Sequence, residues 1–359
     1  MVRLQVSWLA WAGLPGALLA QVLHAPALVR FFLAALALLP AARLLGDATD
    51  ALASQLGPVA AGLLNATCGN AAELIIAILA LRKGYVDVVQ ASLTGSIIGN
   101  LLLVLGLAFL VGGTRYKLQK FSARSAETQL ASMALAVFAL LLPAVFFHLV
   151  GAAGGQLPVL HLSVVVSLVL LAVYAASLVF SLRTHRQLLG QHVGEARARW
   201  SKGQAAVRLS LATGATVVAS EILVGSVEEV GHALDLGPVF LGVAILAVLG
   251  NAAEHGAAVV LAWRNQMDAS ITICFASSQQ VALFVTPLLV LLSFPLGYPM
   301  SLAFSAVEVV AVGAAVVMAG VVSLNGESHW LEGVQLLALY LLIAAFLAFL
   351  PAAKALAPL

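Results

Sequence analysis

The chain has 359 residues, of which 62% are hydrophobic and only 9% are charged, and this composition excludes a water-soluble globular protein. With 17 Lys and Arg against 15 Asp and Glu, the formal net charge is only +2, so the sequence predicts no nucleic-acid partner. Two cysteines, Cys68 and Cys274, are too few for a disulfide framework. This composition predicts a protein that lies mainly in the lipid bilayer. It gives no prediction of the oligomeric state.

Long runs of Leu, Ala and Val predict an all-α, polytopic membrane protein, because a helix needs about 20 apolar residues to cross a bilayer. Proline, glycine and charge clusters divide these runs into eleven predicted transmembrane helices. They cover residues 6–23, 27–52, 57–81, 86–111, 126–150, 157–182, 204–233, 237–263, 268–294, 301–324 and 330–350. The first resembles a signal peptide after Arg3, but it is long and lacks a convincing cleavage site, so we predict an extra membrane helix there.

Basic residues gather in loops on one side of the predicted membrane. They are Arg3, Arg115, Lys117, Lys120, Arg124, Arg183, Arg186, Arg197, Arg199, Lys202 and Arg264. Because loops rich in Lys and Arg stay in the cytoplasm, we expect a cytoplasmic N-terminus and a C-terminus outside. The membrane is the cell membrane if the source is prokaryotic.

An internal repeat divides the chain. Residues 57–59, Gly-Pro-Val, lead to Gly-Asn-Ala-Ala-Glu at 69–73, and residues 237–239 lead to the same pentapeptide at 250–254, with one extra residue between the landmarks. We therefore predict five-helix repeats at 26–182 and 204–359, after an extra helix at 1–25 and around a basic cytoplasmic linker at 183–203. Since five is odd, the second repeat is inverted, and inverted repeats of transporters hold substrate near the membrane midplane.

Each copy of the pentapeptide places a glutamate, Glu73 or Glu254, in the middle of a predicted span. An ionised side chain at the centre of a membrane helix costs about 2.5–3.5 kcal/mol, so these carboxylates predict a functional site. Asn70 and Asn251 precede them by three residues, so we predict that each amide and its carboxylate lie on one helical face. Gly69 and Gly250 allow each helix to bend at this point.

Two carboxylates, two amides and free carbonyl groups suit a hard divalent cation such as Ca²⁺, and Glu73 and Glu254 are the predicted metal ligands. Four further polar residues of the neighbouring spans are predicted to face the same cavity as cation or proton ligands, with helix packing as the alternative. They are Ser96, Asn100, Ser277 and Gln280.

A second set of residues is predicted to gate the site or relay protons. Three acidic residues nearer the membrane edge, Asp50, Glu221 and Glu228, are candidates for guiding cations, with a solvated helix end as the alternative for Asp50. His255, next to Glu254, is predicted to relay protons or to pack. Asp87 and Asp268 are predicted as N-caps of their helices.

The order of these motifs resembles the calcium/proton exchanger (CAX-type) branch of the cation/Ca²⁺ exchanger superfamily. The similar stretches are residues 62–73, 90–96, 100–106, 250–255, 277–285 and 325–333. The resemblance implies an eleven-span fold, with Glu73 and Glu254 as central cation and proton ligands beside Asn70 and Asn251, and alternating access through spans 2 and 7. The chain differs from this family in two places. Its linker is basic where the linkers of relatives are often acidic, and it has Ala247 in the region where relatives often have a proline before the second motif.

From these observations we predict an antiporter that exchanges Ca²⁺ for H⁺ by alternating access, with no resident cofactor and no enzymatic activity. Calcium ions, protons and the bilayer are its predicted partners. Proton-coupled exchange of Mn²⁺, Na⁺ or K⁺ is a rival of the same class, and a passive cation channel is a rival of another. An intramembrane protease is disfavoured, because the chain has no His-Glu-x-x-His motif.

Overall fold

The computed structural model describes residues 12–56, 58–150, 157–184 and 200–349. Its first half contains α1 (Gly13–Val22), α2 (Ala27–Ala53), α3 (Pro58–Cys68), α4 (Ala71–Arg82), α5 (Val86–Arg115), β1 (Gln119–Lys120), α6 (Ala123–Val150) and α7 (Leu157–Thr184). Its second half contains α8 (Lys202–Leu234), α9 (Leu241–Gly250), α10 (Ala252–Trp263), α11 (Met267–Ser293), α12 (Ala306–Ser323), β2 (Glu327–Ser328) and α13 (Trp330–Phe349). The helical turn Pro238–Phe240 leads directly into α9.

Among the described residues, eight helices are long and apolar enough to cross a membrane. They are α2, α5, α6, α7, α8, α11, α12 and α13, and the bent pair α9 and α10 makes a ninth candidate. An all-helical protein with many membrane spans is therefore confirmed. The predicted span 57–81 is divided between α3 and α4, and of the predicted span 6–23 the described part forms the ten-residue helix α1. Gly57 and most of the linker, residues 185–199, lie outside the described residues.

Two long helices, α5 and α11, lie at the centre of the bundle. In α5, 72% of the most apolar window is buried inside the protein, and in α11 61%, against 28% for α7 and α13. The broken helices α3–α4 and α9–α10 lie beside this centre, and α2 packs along α8. Residues that must meet at the middle of the membrane are therefore carried by α4, α5, α10 and α11.

Segments of π-helix interrupt the helices at the centre. They occupy Gly99–Val104 in α5 and Val281–Val285 in α11, at equivalent places in the two repeats, and Leu241–Leu246 in α9. A π-helical turn contains more residues than an α-helical turn and is often found at functional sites. The segment in α9 lies where the second repeat has its extra residue, so the wider turn accommodates that residue within the helix.

A two-stranded antiparallel sheet joins two loops on the side that carries Lys120. β1 pairs with β2 so that Gln119 faces Ser328 and Lys120 faces Glu327, and the Lys120 Nζ lies 3.5 Å from Glu327 Oε1. This pairing ties the α5–α6 loop to the α12–α13 loop. We call the surface that carries Arg115, Lys117, Lys120, Arg124, Lys202 and Arg264 the basic face, and the other end of the bundle the opposite face.

The N-cap prediction for Asp87 and Asp268 is wrong. Each aspartate is the second residue of its helix, and the cap positions are held by Tyr85 and Gln266, neither of which makes a capping hydrogen bond. Asp268 Oδ1 instead accepts a hydrogen bond of 2.6 Å from the backbone N–H of Ser122, just before α6. An acidic residue in the first turn still interacts favourably with the helix dipole, which explains the type of residue found there.

Candidate functional site

Both copies of the Gly-Asn-Ala-Ala-Glu motif interrupt a membrane helix. The chain leaves helical geometry at Asn70, with φ −101°, and at Asn251, with φ −100°. Leu241–Gly250 and the helix from Glu254 onward are bent by 68°. The structure thus has a helix break after Gly69, and after Gly250 a break with the predicted bend, which needs no proline. Glu73 and Glu254 therefore lie in the first turns of α4 and α10, where the helix dipole favours a negative charge.

Each asparagine is the N-cap of the helix that carries its own glutamate, and its carbonyl accepts a backbone hydrogen bond from Leu74 in one copy and from His255 in the other. That each amide and its carboxylate share one helical face stays a prediction. The Asn251 amide crosses to the other repeat, where its Nδ2 donates to Glu73 Oε1 at 2.5 Å and to Ser96 Oγ at 3.0 Å. It also donates to the Ala247 carbonyl at 3.0 Å.

Glu73 is buried between the two repeats, with 9% of its surface exposed. Its Oε1 accepts a second hydrogen bond of 2.7 Å from Ser96 Oγ, whereas its Oε2 is buried without a partner. Gly250 allows this close approach, because a Cβ at that position would lie 3.1 Å from Glu73 Cγ. The carboxylate is thus held at one oxygen and open at the other.

The other amide, Asn70, also crosses between repeats. Its Nδ2 donates to Gln280 Oε1 at 2.6 Å, while its Oδ1 is buried and has no partner. Gln280 lies close to the helix break as well, since a Cβ on Gly69 would lie 3.5 Å from Gln280 Oε1. Gln280 therefore packs over the point at which α3 ends.

A chain of polar contacts joins α10, α5 and α11. His255 Nε2 lies 3.0 Å from Asn100 Oδ1, and Asn100 Nδ2 donates to Ser277 Oγ at 3.0 Å. Ser277 in turn is a neighbour of the Glu254 carboxyl. The structure therefore brings these predicted residues into one continuous network.

Glu254 completes the arrangement. Its carboxyl group is within electrostatic range of Glu73 and Asp50, and its Oε2 is buried without a hydrogen-bond partner. Three acceptor oxygens are thus left without partners at the centre: Asn70 Oδ1, Glu73 Oε2 and Glu254 Oε2. No group of three His, Cys, Asp or Glu side chains within the described ranges could hold a metal by itself, so a cation here would need the amide oxygen as well.

The site has different surroundings on its two sides. Towards the basic face, Asn65 and Thr67 of α3 are exposed, and so are Gly69 just after α3 and Asp50 near the end of α2. Exposed polar groups inside a membrane span face a water-filled space and not lipid. Towards the opposite face α9 is packed against α5, with Leu241, Val243, Leu246 and Ala247 all at most 3% exposed. The approach to the site is therefore exposed towards the basic face and covered on the other side, while the three partnerless oxygens themselves are buried.

The predicted gating residues on α8 lie towards the opposite face. Glu228 Oε2 accepts a hydrogen bond of 3.0 Å from the Tyr85 hydroxyl. Burial and the neighbouring Glu228 raise the pKa of Tyr85 above its ordinary value, so its hydroxyl remains a donor. Glu221 is exposed in the middle of α8. Glu221 and Glu228 are thus not brought to the central cluster.

An ion pair that was not predicted lies beside Glu228. Arg30 Nη2 of α2 is 2.7 Å from Glu229 Oε2 of α8, and Arg30 also donates to the Ala25 carbonyl and to Gln21. The two partners are 199 residues apart, so no local pattern indicated the pair. Its effect is to join the N-terminal end of α2 to the C-terminal end of α8.

Comparison with known proteins gives the family. The sodium/calcium exchanger protein family matches residues 26–183 and 205–349. The chain belongs to this family. A Ca²⁺/H⁺ antiporter of Aphanothece halophytica is 41% identical over 354 residues, covering 94% of this chain and 95% of that protein. The Ca²⁺/H⁺ antiporter ChaA of Bacillus subtilis is 38% identical over 338 residues, covering 93% of this chain and 95% of that protein.

Solved structures share the fold. Native YfkE superposes with a TM-score of 0.84 at 35% identity, covering 96% of this chain and 100% of that one. The H⁺/Ca²⁺ exchanger CAX superposes with a TM-score of 0.68 at 15% identity, covering 98% of this chain and 92% of that one, and this likeness concerns the fold alone.

Proposed function

We propose that this membrane protein is a secondary active antiporter that exchanges Ca²⁺ for H⁺ by alternating access. One observation carries the proposal: two buried carboxylates, Glu73 and Glu254, come from two copies of one motif and meet beside partnerless oxygens. Relatives that are Ca²⁺/H⁺ antiporters align with almost the whole chain, which supports the choice of ions.

The donor set suits calcium. Ca²⁺ takes about 6–8 oxygen ligands at roughly 2.3–2.6 Å and accepts irregular geometry. Glu73 Oε2, Glu254 Oε2 and Asn70 Oδ1 are available for it. In this proposal Ser96, Ser277, Asn100 and Asn251 hold these ligands in place, and water from the open side fills the remaining positions.

Exchange follows from the cost of leaving the two carboxylates ionised without a counter-charge. A buried pair of like charges is unfavourable, and either protons or a divalent cation can neutralise it. Each loaded form is nearly neutral, so it can pass through a closed intermediate, whereas the empty dianion cannot. Protons and Ca²⁺ therefore occupy the site in turn.

The proposal includes an arrangement of the chain in the membrane. Eleven spans form two inverted five-helix repeats after the extra N-terminal helix, with the basic face in the cytoplasm and the C-terminus outside. The described conformation is then open to the cytoplasm through the crevice lined by Asp50 and Asn65. Movement of α2 and α8 closes this crevice and exposes the site beside α9, with Glu221 and Glu228 on the moving helix.

Transport in vesicles of defined orientation tests the proposal. Inverted vesicles with an acidic interior should take up labelled Ca²⁺ while protons leave, and Glu254→Gln should abolish both movements. Glu327→Gln, on the β2 strand far from the site, is the matched control and should transport normally. Calcium entry without a pH gradient and without counter-movement of protons would indicate a channel and would contradict the proposal, as would transport driven by Mn²⁺, Na⁺ or K⁺ in place of Ca²⁺.

A further inference from the structure

The hydrogen bonds of the site are less symmetric than its sequence. The repeats are related by an offset of 181, which pairs Asn70 with Asn251, Glu73 with Glu254, and Ser96 with Ser277. Asn251 donates to Glu73 and Ser96. The equivalent contacts would join Asn70 to Glu254 and Ser277, but Asn70 donates to Gln280.

Gln280 has no counterpart in the first repeat. Subtracting 181 from 280 gives position 99, which is Gly99. The first repeat therefore has no amide at the position equivalent to Gln280, whereas in the second repeat the Gln280 amide oxygen holds Asn70. The groups that an Asn70–Glu254 contact would join, Asn70 and Glu254, are among those that retain buried oxygens without partners.

Inverted repeats exchange their conformations when a transporter changes its direction of opening, because each repeat then has the surroundings that the other had before. In the opposite-facing state Asn70 would therefore occupy the position that Asn251 has now, with Glu254 as its acceptor. The hydrogen bond from Asn70 to Gln280 would then be lost.

We propose that Gln280 is a positioning residue that stabilises the conformation open to the basic face by holding Asn70 away from Glu254. This inference rests on the proposed antiport. In this role Gln280 shifts the equilibrium between two conformations. The role of a cation ligand would differ, because its removal would weaken Ca²⁺ binding equally from both sides.

The experiment uses the full chain with a reporter cysteine on the covered side. Val243 is 2% exposed and lies beside α5, so a cysteine placed there reacts with a membrane-impermeant thiol reagent only when the opposite face opens. The reporter chain is V243C with Cys68→Ser, which removes the half-buried natural thiol, while Cys274 is 1% exposed. The labelling rate then measures the population of the opposite-facing state.

Gln280→Met removes the acceptor at nearly constant shape. We expect the labelling rate from the opposite face to rise about three- to tenfold, the effect of losing one hydrogen bond. The apparent Ca²⁺ affinity should weaken from the basic face and tighten from the opposite face. Gln279→Met, at the neighbouring glutamine, is the matched control and should leave both quantities unchanged.

A double variant separates the inference from simple loss of a ligand. In an Asn70→Ala background, Gln280→Met should add no further change in labelling, because its effect acts through Asn70. If Gln280→Met folds poorly, Gln280→Ala removes the same acceptor and should give the same rise. Unchanged labelling, with Ca²⁺ affinity reduced equally from both faces, would overturn the inference while leaving proton-driven Ca²⁺ transport by the unaltered chain intact.

Discussion

The two helices that lead into the repeated motif, α3 and α9, occupy equivalent positions in the two repeats. Their surroundings in the structure differ. α3, which leads to Asn70, exposes Asn65 and Thr67, whereas in α9, which leads to Asn251, Leu241, Val243 and Leu246 are buried. The cause is the packing partner: α9 lies against α5, and α3 lies against α2 and the end of α7. The comparison shows that the helices leading into the two copies of one motif differ in exposure.

The largest expected effect comes from removing either carboxylate, because the two copies would then no longer act as a pair. Glu73→Gln and Glu254→Gln should each lower Ca²⁺/H⁺ exchange more than about 100-fold, beyond the 10–100-fold typical of residues that support a metal ligand. Vesicle flux measures this, with membrane insertion checked on the same preparation. Activity near the normal level in either variant would show that the copies do not form one site.

Replacing the two asparagines should give unequal effects. Asn251 makes hydrogen bonds to Glu73, Ser96 and Ala247, whereas Asn70 makes one to Gln280. Asn251→Ala removes only this support and should lower apparent Ca²⁺ affinity from the basic face about 10–100-fold, whereas Asn70→Ala also removes the ligand oxygen Oδ1 and should lower it further. Calcium titration of flux from that face compares them, and an equal or smaller loss for Asn70→Ala would mean that its Oδ1 does not bind the ion.

The close contact of α9 with α5 offers a way to open the covered side. A Cβ at Gly242 would lie 2.5 Å from the Ala91 Cβ, so Gly242→Ala should weaken this packing by about 1–3 kcal/mol. Labelling of a cysteine at Val243 from the opposite face should increase accordingly. Gly256→Ala is the control, because a Cβ there would meet nothing within 4 Å. If labelling stayed at the level of the control, the contact would not be what covers this side.

The smallest effect is expected at the polar contacts of the opposite face. Tyr85→Phe removes the hydrogen bond to Glu228, and Arg30→Gln removes the exposed ion pair with Glu229, each worth about 0.5–1 kcal/mol. Each should raise labelling from the opposite face about two- to fivefold. The Arg30 effect should diminish at high salt and the Tyr85 effect should not. A salt-independent effect at Arg30 would argue against the ion pair as its cause.

The sequence predicted the elements better than their contacts. Apolar length indicated the long helices within a few residues, and the glycine before each asparagine indicated the breaks. The spacing of three residues could not indicate that the Asn251 amide donates to Glu73 of the other repeat, because that contact forms only when the two repeats pack together. The contact of Arg30 with Glu229 depends on two helix ends that meet only after folding, so no spacing could predict it.

The repeated sequence also could not predict which side of the site is exposed and which is covered, because both copies have the same motif. One signal was available: Gly95 lies against Val243, and position 276, 181 residues later, is Ala276. The first repeat thus has a glycine where α5 lies against α9, and the equivalent position of the second repeat is an alanine.

The π-helical turn in α9 also bears on how the two halves diverged. A single residue inserted into an ordinary α-helix rotates the residues before it by about 100° relative to the residues after it. The wide turn at Leu241–Leu246 confines that rotation to a few residues, so Gly250 and Asn251 keep their phase towards Glu73. A gene that duplicated could thus gain one codon in one copy without losing the meeting point of the two.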